Sequence, residues 1–364
     1  MDCSQWFVRP REKTFSMKKT RLTILLMLLS VVAAGCYWYQ GGPLPLNWEL
    51  RRFAMLWHLD GMMLGIRHPD GRTEHIVIGY HARNGEEKVL SLTENEPMRI
   101  ASLSKPITAM TIRWMVEKRQ LQLDEKLVDL LPQLDYSQDE YYRQITVADL
   151  LQHAAGFSAR QAGDVVVTDN GLVSCDQAIH KVLERKLDDV PGSQIEYANI
   201  GYCFLGKIIE NKAGLTYEDA VHAMLQDRGV SAEKLTITGM AATAGAVPFT
   251  SREELQGAAP VGGWSADLDT LLAIYALELP HVRQIAVPPL RAAYTQSYYG
   301  LGWRIWPQND GSNQLTHYGA FPPLHYSFAL ILPDGTIVVA FVEGQLWNYS
   351  EAFSALKGIL SERL

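Results

Sequence analysis

The strongest constraint on the fold is a pair of matching hairpin signals, one near each end of the chain. Near the start, the apolar run Met62 to Ile66 is followed by Pro69-Asp70-Gly71 and then by Ile76, Ile78 and Tyr80 in alternation. Towards the other end, Ser327 to Leu332 leads into Pro333-Asp334-Gly335 and then Ile337 to Val342. A short Pro-Asp-Gly turn between two such runs folds them into neighbouring antiparallel strands. Between the hairpins the apolar spacing is mostly helical, over Ile107 to Arg119, Val147 to His153, Ser174 to Lys186, Ile200 to Lys212 and Tyr217 to Gln226. Gly214 and Gly229 follow the last two as helix stops. A final helix over Tyr349 to Arg363 carries Phe353, Leu356, Ile359 and Leu360 on one stripe. These signals predict an α/β (α+β) fold. One antiparallel sheet is formed by both ends of the body and flanked by helices, with an inserted, mainly helical lobe and a site in the cleft between.

Charge divides the chain differently. The 364 residues sum to −7, yet residues 1–36 hold six cations and two anions. A basic head on an acidic body argues against nucleic acid as a partner, since phosphate binding needs a basic surface. Leu22 to Tyr39 is uncharged and follows Met17-Lys18-Lys19-Thr20-Arg21. That order of cationic and apolar regions is an export signal. Three outcomes are open: Ala33-Ala34-Gly35-Cys36 resembles a bacterial lipoprotein box with Cys36 as the lipidated residue; Val32-x-Ala34 suits ordinary cleavage; or the stretch stays as an anchor. At 1.5 Å per residue an 18-residue helix spans ~27 Å, just short of a ~30 Å bilayer core. Tyr37, Trp38 and Tyr39 would then sit at the interface. Residues 1–40 are therefore read as signal or anchor, 41–52 as linker and 53–364 as a two-lobed body. The expected location is the bacterial cell envelope, periplasmic and held to the membrane through the head. Of the remaining cysteines, Cys175 and Cys203 are free to pair in an oxidising compartment. Cys203 lies in an apolar run, however, where a buried free thiol is the commoner state.

Three short motifs carry chemistry. Ser102 and Lys105 stand one helical turn apart in Arg99-Ile100-Ala101-Ser102-Leu103-Ser104-Lys105-Pro106. A serine at a helix start lies at the positive end of the dipole, and a desolvated lysine at i+3 can take its proton. Ser-x-x-Lys occurs four times, also at Ser16, Ser231 and Ser354, but only Ser102 opens an apolar helix shortly after a hairpin. Tyr197-Ala198-Asn199 is the one Tyr-x-Asn; its tyrosine can shuttle a proton if positive neighbours depress its pKa. His317-Tyr318-Gly319 is the one His-x-Gly, preceding a strand, with Gly319 allowing a substrate close to the backbone. Lys212-Ala213-Gly214 competes for that role but reads as a helix end.

In this order the motifs resemble the serine β-lactamase/penicillin-binding superfamily, nearest to class C β-lactamases, serine DD-peptidases and their esterase relatives. The likeness extends to Asp149–Gly156, Pro191–Tyr202, Gly262–Ser265 and Tyr299–Trp303. It implies that Ser102 attacks the carbonyl to form an acyl-enzyme, Lys105 helps deprotonate it and Tyr197 relays protons. Asn199 would contact the substrate amide, and the N–H groups of Ser102 and Ala320 would form the oxyanion hole. Which group is the acylation base stays open. No cofactor or metal is implied.

Two departures bear on substrate. His317 stands where true class C β-lactamases have lysine, and Pro323 where relatives usually show glycine. His317 is expected to hold a substrate carboxylate only while protonated, fading as pH rises through neutrality. His153 reads as structural, and His325 more as structural than functional. The expectation is a serine hydrolase acting on an ester or a D-amino-acid-containing amide, with a small-molecule or peptide substrate such as a cell-wall fragment. The alternatives are a true class C β-lactamase and a non-catalytic binder of cell-wall peptides.

Overall fold

The computed structural model describes residues 24, 27, 45–79, 97–158, 163–168, 171–237, 251–289, 294, 296–321 and 325–364. Cys36, Ser16, Tyr80 and Pro323, on which expectations were placed above, lie outside them, as does the export segment apart from Ile24 and Met27. The chain divides into residues 1–49 and one compact unit, residues 50–364.

The two hairpins form as expected and become partners. Strands β1 (Gly61–Arg67) and β2 (Thr73–Gly79) make the first. Two short pairs follow: β3 (Met98–Arg99) with β6 (Ser265–Ala266), and β4 (Val167–Thr168) with β5 (Gly171–Leu172). The C-terminal part supplies β7 (Tyr298–Tyr299), β8 (Arg304–Pro307), β9 (Asn313–Phe321), β10 (His325–Ile331) and β11 (Ile337–Glu343). The main sheet runs β2-β1-β11-β10-β9-β8-β7, all antiparallel, so the last strand pairs with the first. Gly61 opposes Glu343 and Arg67 opposes Ile337 in that seam.

The central strands are buried along almost their whole length, which requires cover on both faces. The Leu268–Ala276 helix covers one: Leu268 and Leu272 press on Gly65, where a Cβ would come within 3.0 Å of Leu272. The terminal helix Tyr349–Arg363 packs on β10, with Phe353 against Tyr318 and Phe328. Helices Ser104–Glu117, Cys175–Leu183, Asn199–Ala213 and Tyr217–Asp227 form the inserted part and share one buried core with the sheet.

Three expectations change. A helix, Leu46–Leu56, occupies much of the segment read as linker, because Leu50, Phe53 and Ala54 recur on one buried face. The helix at Val147 stops at Leu151, so His153 lies beyond it, with φ 55°. Cys175 and Cys203 are joined as a disulfide, Cα to Cα 5.0 Å, rather than leaving Cys203 a free thiol. Close packing of the Cys175–Leu183 and Asn199–Ala213 helices brings them together, which spacing along the chain does not reveal.

Candidate active site

The nucleophile candidate sits on a strained turn. Ala101 has φ 48°, a left-handed conformation that costs a non-glycine residue about 1–3 kcal/mol. Ala101–Leu103 then makes one 3-10 turn leading into the Ser104–Glu117 helix. Ser104 Oγ donates to the Ala101 carbonyl at 2.7 Å and Tyr275 donates to the Leu103 carbonyl at 2.8 Å, so both sides of Ser102 are tied down. Ser102 itself stays partly accessible while its neighbours are buried.

Lys105 is fully buried, with Nζ 3.0 Å from Ser102 Oγ and 2.9 Å from the Val261 carbonyl. Removal from water brings its pKa down from 10.5 to about 7, with the charge of Asp164 opposing the fall. The nitrogen also lies 5.1 Å from the Tyr197 ring centre and 5.7 Å from that of Tyr202. Val261 belongs to the stretch that continues into Gly262-Gly263-Trp264. Pro260, next to it, accepts from Thr108 at 2.7 Å, fixing that stretch under the nucleophile helix.

Tyr197 departs from expectation. Its phenol is held well above the ordinary tyrosine pKa, chiefly by burial and then by Tyr299, and only its hydrogen bond with Ser102 acts downward. The residue keeps 37% of its surface open, which tempers that rise without reversing its sign. Lys105 does not supply the depressing charge expected, because desolvation makes it a poor cation itself. Tyr197 is therefore a neutral phenol at neutral pH.

His317, in β9, is 2% exposed. Its Nδ1 lies 3.0 Å from the Tyr318 carbonyl, which fixes Nδ1 as the donor and leaves Nε2 a lone pair without a protein partner. Burial first, and then Lys105, brings its pKa down to about 3. The expected crossover near neutrality is thus displaced far to the acid side, and His317 is not a carboxylate-holding cation at pH 7.

Gly319 also has a packing reason to lack a side chain. A Cβ there would meet Ser327 Oγ at 2.2 Å, the Ile100 carbonyl at 2.7 Å and Ala101 Cβ at 3.0 Å. The missing side chain lets β9 lie against the nucleophile turn, and Ala320 follows it along that strand. Ser327 Oγ donates to the same Ile100 carbonyl at 2.7 Å.

Asn199 is the first residue of its helix, and its side chain does not cap it. Its Nδ2 donates to Asp164 at 2.6 Å, while Oδ1 is buried without a partner. Ser102, Lys105, Tyr197 and His317 thus gather around one site, and Asn199 is linked to it through Asp164, whose charge acts on Lys105. The other described Ser-x-x-Lys pairs do not: Lys234 pairs with Asp267, and Lys357 lies over Trp306. Lys212 pairs with Glu125, and Gly214 is a left-handed helix cap.

Motif reading missed three contributors. Asp164 is remote in sequence from both groups it serves. Tyr299 packs against Tyr197 and His317. His153, read as structural, stacks on Tyr197 with ring centres 4.4 Å apart and accepts from the Ala198 N–H at 3.2 Å. Its left-handed backbone, a departure from helix, is what turns the ring there. His325 donates to the Arg99 carbonyl at 2.6 Å, in keeping with a structural part. A cavity of about 780 Å³ lined by Arg113, Val116, Gln152, Val287 and Leu301 includes none of Ser102, Lys105, Tyr197, Asn199 and His317. The chemistry therefore locates the site better than cavity size does.

Among solved structures, the chain is similar to the octameric penicillin-binding protein homologue from Pyrococcus abyssi. The TM-score is 0.66 at 20% identity, over 86% of this chain and 76% of that one. It is similar to D-amino acid amidase from Ochrobactrum anthropi SV3, complexed with L-phenylalanine amide, at TM-score 0.66 and 17% identity over 86% and 97%. At these identities the likeness concerns the fold. A curated relative, the probable fimbrial assembly protein FimD of serogroup H1 from Dichelobacter nodosus, is 30% identical over 164 residues, 44% of this chain and 41% of that one. The matched region thus spans less than half the length of the curated relative. The family model for Beta-lactamase matches residues 51–346, a span holding both hairpins and all three motifs, and the chain belongs to the beta-lactamase family.

Proposed function

We propose that this protein is a serine hydrolase that forms an acyl-enzyme on Ser102, with an ester or a small amide as acyl donor. The observation that carries the proposal is the Lys105–Ser102 contact of 3.0 Å beside a lysine whose pKa lies near neutrality. Near pH 7 a large share of Lys105 is free amine, whereas Tyr197 is phenol throughout, so Lys105 is the better acceptor of the Ser102 proton. As Oγ bonds the acyl carbon, its proton passes to Lys105 Nζ. Tyr197, hydrogen-bonded at Ser102, delivers a proton to the leaving oxygen or nitrogen and is replenished from Lys105. Water then attacks the ester of Ser102, the acid departs and Oγ regains its proton. The N–H groups of Ser102 and Ala320 would hold the oxyanion, each worth ~3–4 kcal/mol in such a role.

Neutral acyl donors are favoured over β-lactams, because His317 offers no positive charge to a substrate carboxylate at neutral pH. Kinship in fold with D-amino acid amidase supports small amides as well as esters. The cationic head and apolar stretch support export to the cell envelope, and the Cys175–Cys203 disulfide suits an oxidising compartment. The test is kcat/KM for p-nitrophenyl acetate against a chromogenic cephalosporin, on wild type and Ser102→Ala. Ester turnover that exceeds cephalosporin turnover and vanishes in the variant is expected. A preferred cephalosporin would return the enzyme to β-lactam hydrolysis.

A further inference from the structure

Tyr197 stands on a stretch, residues 191–198, that belongs to no helix or strand. Its place beside Ser102 therefore depends on what holds that stretch from the side. His153 holds it at successive residues. The His153 carbonyl accepts from the Glu196 N–H at 2.8 Å, and its Nδ1 accepts from the Ala198 N–H at 3.2 Å. Between those bonds the His153 ring lies against the Tyr197 ring, with centres 4.4 Å apart and planes 32° from parallel. The rings of Tyr299 and His317 stand farther from Tyr197, at 5.8 and 6.4 Å. Nδ1 accepts from Ala198 only as a lone pair, so the neutral His153 ring carries its proton on Nε2. Burial first, and then the charges of Lys105 and His317, keep the ring neutral by lowering its pKa well below 6.5. The backbone adds an independent sign. With φ 55°, His153 is left-handed, a conformation that is uncommon outside glycine and persists where its surroundings demand it. Here it turns the ring and the carbonyl of one residue towards the stretch that carries Tyr197.

We infer that His153 is a positioning residue that holds the Tyr197 phenol at the leaving group, and that this hold extends the substrates from activated esters to those with basic leaving groups. This rests on the serine-hydrolase reading, in which Tyr197 protonates the departing atom, and deepens it in substrate class. A stable anion such as p-nitrophenolate departs without a proton, whereas an alkoxide or an amide nitrogen needs one. A Tyr197 that drifts from its place therefore harms the second kind of substrate far more than the first. His153 acts through Tyr197 and is given no contact with the reacting atoms.

The experiment measures kcat/KM for p-nitrophenyl, phenyl and trifluoroethyl acetates on the full chain, in wild type, His153→Asn and Tyr197→Phe. Asparagine tolerates a left-handed backbone and keeps an acceptor for Ala198, but removes the ring from Tyr197. In His153→Asn the trifluoroethyl ester should lose roughly tenfold to a hundredfold relative to the p-nitrophenyl ester, within the reach of general-acid assistance. The dependence on leaving-group basicity should thus steepen towards that of Tyr197→Phe. A merely structural part would lower all three esters by one factor. Such parallel losses overturn the inference, as does an unchanged slope or a wild type confined to the p-nitrophenyl ester. In wild type, nitrogen NMR of the histidine rings should place the His153 proton on Nε2. A proton on Nδ1 overturns the inference even if no variant folds. Should Tyr197→Phe keep the wild-type slope, Tyr197 does not protonate the leaving group, and that step of the hydrolase reading falls together with this inference. Absence of fluorophosphonate labelling on wild-type Ser102 would instead bring down the whole reading, and this inference with it.

Discussion

Lys105 Nζ is held between Ser102 Oγ, 3.0 Å away, and the Val261 carbonyl, 2.9 Å away, with no surface open to water. The same burial that makes it a base at neutral pH penalises folding. In the unfolded chain its pKa is that of an ordinary lysine, 10.5; in the folded chain it is about 7. Between those values the unfolded state binds more protons, so stability rises with pH, and the penalty is complete below pH 7. Lys105→Met should therefore unfold at higher denaturant concentration than wild type at pH 6, by on the order of a few kcal/mol. The difference should close by about pH 10.5. In activity, kcat/KM of wild type should climb through an apparent pKa near 7, and Lys105→Arg, unable to lose its proton, should fall at least ~100-fold. A wild-type profile flat from pH 5 to 9 would remove Lys105 as the base.

His317 should leave substrate preference insensitive to neutral pH. Its folded pKa of about 3 lies below the usual 6.5, so it stays uncharged wherever the enzyme is assayed. The ratio of kcat/KM for an anionic ester to that for a neutral ester should not drop as pH rises from 6 to 8. Stability contributed by the neutral ring should be lost as pH falls from about 6.5 towards 3. A ratio that falls through pH 6 to 7 would reinstate a protonated histidine as carboxylate holder.

The motifs were legible because they are local. One helical turn separates Ser102 from Lys105, and that distance along the chain is nearly their distance in space. The hairpins at Pro69 and Pro333 were readable for the same reason, and their seam between β1 and β11 followed from having strands at both ends. Asp164, Val261 and Tyr299 were not readable, since only tertiary packing brings them to the serine–lysine pair. The sign of the Tyr197 shift was misread because charge neighbours are visible in sequence whereas desolvation is not. Pairing of Cys175 with Cys203 likewise depended on how two helices pack, and the packing constraint on Gly319 on what lies across from it.

Gly319 should tolerate no side chain. In Gly319→Ala the new methyl meets Ser327 Oγ and the Ile100 carbonyl well inside contact distance. The nucleophile turn must shift, costing about 1–3 kcal/mol and slowing Ser102 labelling. Adding Ser327→Ala should restore only part of the loss, because the Ile100 carbonyl remains. Thermal melts with labelling rates check this. An alanine variant with wild-type values of both would refute the packing argument.

The disulfide should be measurable in the folded protein. Cys175 and Cys203 should resist alkylation before reduction, and Cys203→Ser should lose about 2–4 kcal/mol of stability. Since the bond anchors the helix that begins at Asn199, the variant should also bind substrate more weakly. Alkylation mapped to Cys175 or Cys203 in the native, oxidised protein would contradict the pairing.

The most direct measurement is mass-spectrometric mapping of the residue acylated by a fluorophosphonate, across wild type, Ser102→Ala and Ser231→Ala. The expected result is a single adduct on the peptide carrying Ser102, present in wild type and Ser231→Ala and absent from Ser102→Ala. An adduct on any other serine, or labelling that survives Ser102→Ala, would contradict Ser102 as the nucleophile that Lys105 activates.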